Sequence, residues 1–414
     1  MKTTLFQNFL LIIIFLIIIF LINNNIISLI IWKFSNPFND FLHHVTWLKC
    51  NYQGFDLFSE KSLECPGITR FNYGKIFLIL PYNEFLDSFY RNYLPFLLIY
   101  LFIFSIHKII NPNNKITYLL FLISIFNPST ILLLERVNID LIIFLLLIFI
   151  VYNRLFIINW ALIIFFSLIK IYPSLLSLNI LLEDKKRNLK YIFIISLLFL
   201  ATCLIYFFFN FSEYNYMFKH LSSAKAGYHY LYSLNTLPKI LRYLTDINYI
   251  ILISFFYILF IYALFKVSNV VSSNLKNNNF DIYQHQIRLF LLAGYLSLFC
   301  FFVFSNWFYR EVFLIATYPL IISLYLKHHD KFSKLVINFI ILRYLFLYVY
   351  AFFNIHDNIQ HINGVRVFSQ EFIFFITLKG FFDFFLMLLI GSLLVYFTKI
   401  FLKEIRLKII NKNL

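Results

Sequence analysis

The chain has 414 residues, of which 61% are hydrophobic, 22% aromatic and only 13% charged. A soluble fold cannot hide that much apolar surface, and runs such as Leu5 to Ile22 belong in lipid, so the composition excludes a soluble domain and implies an all-α, polytopic membrane protein. The net charge of +16 does not imply nucleic acid, because the cations gather at the ends of apolar runs as a positive-inside topology requires, and no nucleic-acid motif accompanies them.

With about 20 apolar residues per span, the first crossing runs from Leu5 to Trp32, with Lys2 on the cytoplasmic side. It resembles a signal peptide in hydropathy, but no small-residue cleavage site follows it. Residues 33–92 form the first exterior loop. Within it, a helix over Asn39 to Tyr52 sets Asp40, His44 and Trp47 on one face. A carboxylate, an imidazole and an indole so placed make a sugar-binding surface, and the carboxylate can take a proton from a hydroxyl. Asp40 also suits a helix N-cap. His43 and His44 are adjacent rather than four apart, and Asn39 precedes a lone Asp40, so no metal site is expected. Cys50 and Cys65 share this loop, where an oxidising compartment allows a disulfide; two free thiols fit the sequence as well.

Further spans run from Tyr93 to Ile110, Ile116 to Leu134 and Ile139 to Tyr152. At the head of the last stand Glu135, Arg136, Asn138 and Asp140. The piece from Leu155 to Leu182 breaks the alternation. Its flanks, Arg154 and the run Glu183 to Lys190, both read as cytoplasmic, and its 28 residues are too few for two crossings. Pro173 disfavours a continuous helix through Tyr172. Two short helices that enter and return are expected, with Lys170 near the turn; a single crossing is the alternative. Irregular backbone and a charge at that depth call for a cavity or a protein cover.

The remaining spans run from Tyr191 to Asn210, Tyr249 to Val267, Ile287 to Ser305, Val312 to Leu326, Leu335 to Phe353 and Phe381 to Phe397. That makes ten crossings beside the broken hairpin, with both termini cytoplasmic and a basic tail, residues 399–414, suited to anionic lipid headgroups. The other long exterior loops are Phe211 to Asn248, which holds His220, Lys225 and His229, and Asn354 to Lys379. A tight exterior turn carries Asn306, Tyr309, Arg310 and Glu311; Arg310 can clamp a phosphate, or meet Glu311 or a lipid headgroup. Arg343 lies deep in its span and needs an interior partner or a bound phosphate. The long loops face outward, so an exterior site is expected, and no Gly-rich phosphate loop is found.

The Arg-x-Asn-x-Asp opening (Arg136, Asn138, Asp140) and the Lys-Ile-Tyr-Pro element (Lys170 to Pro173) resemble polyprenyl-phosphate-sugar-dependent glycosyltransferases of the GT-C fold, in particular glycosyltransferase family 87. The resemblance implies a single GT-C-type bundle over residues 1–414, with its motif region in residues 135–182. It also implies a catalytic base in the first exterior loop. Asp40 matches that position, and Asp56, in the run Gly54, Asp56, Phe58, is the second choice. The paired acids common in eukaryotic GT-C mannosyltransferases are missing here. His44, Trp47, Arg136, Asn138, Asp140, Lys170, Tyr172, Arg310 and Arg343 are the positions from which donor phosphate or sugar would be held. The implied activity is inverting transfer of a hexose, such as mannose, from a polyprenyl monophosphate to a glycan or glycolipid acceptor at a bacterial inner membrane. The lipid-linked sugar is then a co-substrate, and no cofactor is expected. A transporter or flippase of a lipid-linked or anionic solute is the rival class, and a polymerase or ligase using a diphosphate carrier is a third reading.

Overall fold

The computed structural model describes residues 2–24, 26, 37–59, 64–66, 71–153, 155–179, 182, 189–220, 231–275, 284–303, 306–352, 359–362 and 365–412. In chain order the elements are α1 (Lys2–Asn23), α2 (Asn39–Tyr52), a 3-10 helix (Lys75–Ile79), α3 (Glu84–Asn92), α4 (Leu94–Ile110), α5 (Lys115–Phe126), α6 (Pro128–Arg136), α7 (Ile139–Tyr152), α8 (Phe156–Ile169), a 3-10 helix (Tyr172–Leu178), α9 (Leu189–Phe209) and α10 (Phe211–His220). There follow β1 (Leu231–Tyr232), α11 (Thr236–Thr245), α12 (Tyr249–Asn274), α13 (Gln284–Phe302), β2 (Asn306–Trp307), a 3-10 helix (Phe308–Thr317), α14 (Tyr318–His328), α15 (Lys331–Phe352), β3 (Ile359–Ile362), β4 (Val365–Phe368) and α16 (Gln370–Lys412). Among the described residues the fold is helical apart from two short antiparallel ribbons, β1–β2 and β3–β4.

Five described helices are long and apolar enough to cross a membrane, and eight if each of three bent pairs is one span. The pairs are α3 with α4, α5 with α6, and α9 with α10, bent by 44°, 48° and 81°. The chain therefore has the make-up of a helical integral membrane protein. Helices α7 and α8 are apolar but have 14 residues each, about 21 Å against a hydrocarbon core of about 30 Å.

The chain divides into two compact units. The first comprises Met1–Leu29, Lys33–Lys108 and Thr130–Ser222; the second comprises Ile30–Trp32, Ile109–Ser129 and Ser223–Leu414. In the first unit, the described residues between 37 and 92 form α2, a 3-10 helix and α3. Cys50 and Cys65 form a disulfide with Cα atoms 6.1 Å apart, a link worth roughly 3 kcal/mol on the chain-entropy model. The Gly74 N–H donates to the Ile169 carbonyl at 3.0 Å. A Cβ on Gly74 would lie 1.8 Å from the Leu168 carbonyl oxygen, so only glycine permits this approach of the loop to the end of α8. Tyr214 of α10 donates to the same Leu168 oxygen at 2.9 Å.

Local chemistry explains the helix ends. The Asn138 side chain caps α7 by accepting from the Asp140 N–H at 3.1 Å, and Asn114 and Thr117 form a capping box at α5. Helix α8 stops at Lys170, whose backbone is extended, and Pro173 opens the short helix that follows. Asp40 does not cap α2. That position belongs to Phe38, which sits in the left-handed region at φ 61° with no side-chain cap.

Three expectations for the second half change. The turn at Asn306 to Glu311 is not a tight loop: it is β2 running into a ten-residue 3-10 helix that continues into α14. The loop from Asn354 to Lys379 ends early, because α16 begins at Gln370 and takes Lys379 into a buried helical position. Among the described residues between Phe211 and Asn248 lie α10, β1 and α11. Glycine also keeps a packing role despite its scarcity: a Cβ at Gly380 would lie 2.8 Å from Leu237, and one at Gly294 2.9 Å from Leu394. Lys225, His229 and Arg154, like residues 183–188, lie outside the described residues, as does the side chain of His220.

Candidate functional site

The segment that leaves α6 and enters α7 organises the first unit. Val137, between Arg136 and Asn138, has φ 45° and is fully buried. A β-branched residue in the left-handed region costs on the order of 1–3 kcal/mol and persists where the surroundings over-determine it, often at functional sites. The sharp bend directs both neighbours to Asp40. Arg136 Nη2 donates to Asp40 Oδ1, and Asn138 Nδ2 donates to Oδ2 at 2.7 Å. The Phe38 N–H donates to the Glu135 carbonyl at 2.6 Å and fastens the start of α2 to the same bend. Burial pushes the Asp40 carboxyl up, but the Arg136 charge and the hydrogen bonds from Arg136 and Asn138 outweigh it, holding the group below the usual carboxylate range.

A second carboxylate lies one step along. Asp140, in the first turn of α7, has no exposed surface. Lys170 Nζ donates to Asp140 Oδ1 at 3.1 Å, and the Tyr172 hydroxyl donates to the same oxygen. The Lys170 ammonium also lies 5.2 Å from the centre of the Tyr73 ring and 5.6 Å from that of Tyr172, a cation–π arrangement. Asn138 joins the two carboxylates, donating to Asp40 and accepting from the Asp140 N–H. The set has two cations and two anions, so its formal charges balance.

His44 and Trp47 share the α2 face with Asp40, but they do not offer an open sugar platform. They are 5% and 4% exposed, packed among Phe71, Tyr73 and Phe77. The loop pinned by Gly74 folds over them, and His44 Nε2 lies 3.0 Å from the Tyr73 hydroxyl. Burial lowers the His44 pKa to about 3, with Asp40 opposing and Lys170 reinforcing the shift. The sign follows directly. Unfolded His44 takes a proton near its ordinary pKa of about 6.5 while the folded group stays neutral, so stability falls as pH drops from 6.5 towards 3. About 2–3 kcal/mol of that loss should be present at pH 4.5. His44→Gln should therefore flatten the dependence of melting temperature on pH between 7 and 4.5. An unchanged slope would place the acid sensitivity elsewhere.

Arg310 and Arg343 belong to the second unit. Arg310 is half-buried on the 3-10 helix that precedes α14. Arg343, on α15, is fully buried and held by protein carboxylates rather than open to a donor phosphate. Its Nε donates to Asp383 Oδ1 at 3.0 Å and its Nη2 to the same oxygen at 2.6 Å and to Glu311. Lys379 Nζ donates to Asp383 Oδ2 at 2.7 Å, and Ser129 donates to Glu311. Beside this network the hydroxyls of Tyr318 and Tyr344 are 2.7 Å apart.

Sequence reasoning left out Tyr73, Lys379, Asp383 and the buried role of Glu311. The four-residue spacing of Lys379 and Asp383 was a usable signal for a helical ion pair, but it was hidden by placing Lys379 in a loop. Glu135 also acquires weight: it is 8% exposed, and its Oε2 has no hydrogen-bond partner among the described residues. Among the described residues no group of three His, Cys, Asp or Glu side chains is arranged to hold a metal ion. No protein-family model, curated protein or solved structure matches the chain, so its functional reading rests on the chemistry of these residues.

Proposed function

We propose that the chain is an integral-membrane glycosyltransferase of the GT-C type, similar to family 87, with ten spans and both termini in the cytoplasm of a bacterial cell. It moves a hexose from a polyprenyl monophosphate to a glycan or glycolipid acceptor on the exterior face. The observation that carries this reading is the meeting of Asp40 with Arg136 and Asn138, next to the Asp140, Lys170 and Tyr172 group. A carboxylate able to accept a proton stands beside cations able to receive a phosphate.

Asp40 is a weak base while Arg136 holds it. A lipid phosphate competes for that guanidinium, and Asp40 becomes more basic as Arg136 turns to the donor. The acceptor hydroxyl then gives its proton to Asp40 while its oxygen attacks the anomeric carbon. The bond from that carbon to the phosphate oxygen breaks, and the phosphate leaves as a stable anion with inversion at carbon. Arg136 and Lys170 compensate the charge that develops there, where low hydration makes each cation count for more than in water.

The test is incubation of purified full-length protein with synthetic polyprenyl-monophosphate hexoses and a panel of acceptors, read by mass. A new glycosidic bond supports the proposal; intact donor with every sugar and acceptor opposes it. The fully buried Arg343, Glu311, Asp383 and Lys379 network favours a second reading, a transporter or flippase, since buried charges also mark solute pathways. Movement of substrate across a vesicle membrane without chemical change would identify that activity.

A further inference from the structure

The first unit holds a second constellation, separate from the Asp40 cluster. A cleft of about 310 Å³, open on one side, is lined by Asn51, Phe55, Asp56, Phe58, Lys75 and Glu213 among others. Its volume is at the lower end of those of small-molecule sites. The walls are fixed. The disulfide Cys50–Cys65 ties the end of α2 to the loop. Gly54 turns the chain at φ 86°, and the Phe55 N–H returns to the Cys50 carbonyl at 3.0 Å. The Asp56 carboxylate accepts from the Phe58 N–H at 3.0 Å. Lys75 Nζ bridges to Glu213 of α10 at 2.8 Å, and Tyr216 donates to the Ser59 carbonyl at 3.2 Å.

The lining chemistry selects a ligand class. Asp56 and Glu213 against Lys75 leave one net negative charge, which disfavours a phosphate. Exposed carboxylate, amide and ammonium groups beside two half-buried phenyl rings suit a ring with hydroxyls on its edge and C–H groups on its face. Asn51 and Asp40 stand at opposite ends of α2, eleven residues and about 16 Å apart. One hexose cannot reach both.

We propose that this cleft binds a sugar unit of a neutral oligosaccharide, and that the acceptor extends from the cleft to Asp40. The second clause rests on the transferase reading; the first does not. The enzyme would then prefer an existing glycan to a monosaccharide acceptor, and the cleft would set acceptor length.

The experiment titrates detergent-solubilised full-length protein with mannotriose, maltotriose, cellotriose and chitotriose, and separately with inorganic phosphate. At least one trisaccharide should bind in the millimolar range or tighter, with phosphate binding there more weakly. The double variant Lys75→Met/Glu213→Gln, which removes the pair without leaving either charge alone, should weaken that binding at least about tenfold. Asp56→Asn, at an exposed position, gives an independent arm if the double variant does not fold. In the transfer assay the Lys75→Met/Glu213→Gln variant should raise KM for a trisaccharide acceptor and leave kcat/KM for an alkyl monosaccharide unchanged. No trisaccharide binding, binding that survives all the substitutions, or equal losses with long and short acceptors would overturn the proposal. Trisaccharide binding without transfer from any lipid donor would keep the glycan site and remove only the transferase reading.

Discussion

Asp40→Asn should lower turnover by about 10²- to 10⁴-fold, the contribution typical of a positioned general base, while the protein still folds and inserts. Asparagine keeps the shape of the side chain, and its single oxygen can still accept from Arg136, but its amide meets the Asn138 donor without accepting from it and cannot take the acceptor proton. The structural confounder is Arg136, which would lose its ionic partner at 11% side-chain exposure. A second variant, Asp40→Asn with Arg136→Met, removes that buried charge. It should regain melting temperature without regaining turnover. If Asp40→Asn alone works at near wild-type rate, Asp40 is a structural partner of Arg136, and Glu135, whose buried Oε2 has no hydrogen-bond partner among the described residues, becomes the group to test.

Arg343→Met should destabilise the protein by about 3–5 kcal/mol, the usual cost of breaking a buried pair by removing one partner. The expected asymmetry is the sharper check. Once Arg343 is gone, Asp383 still has Lys379 at 2.7 Å, whereas Glu311, with no exposed surface, keeps among the described residues the Ser129 hydroxyl alone. Adding Glu311→Gln to Arg343→Met should therefore recover most of the loss. Adding Asp383→Asn instead should recover less, because it removes the carboxylate facing Lys379 and leaves Glu311 charged. Melting temperatures of the single and double variants decide this. An Arg343→Met protein as stable as wild type would mean the network contributes no more than apolar packing of the same volume.

Much of this molecule is legible in local chemistry. Its apolar content specifies helices in lipid, and the pattern from Asn39 to Tyr52 specifies α2 to its bounds. Pro173 specifies the break after Lys170, because a proline acts on its own turn and needs no distant partner. The chemistry-bearing residues were legible too, since charges are costly in apolar stretches and stand out there. Their partners were not. Asp40 meets Arg136 across 96 residues and Asn138 across 98, and Arg343 meets Asp383 across 40. No periodicity records such distances; only packing around the left-handed Val137 and the close approach at Gly74 brings the first set together. The same packing covers Trp47 and His44, which share a helical face with Asp40 but not its access. A helix fixes which side chains point the same way, while the segments folded over it decide which of them a substrate can reach.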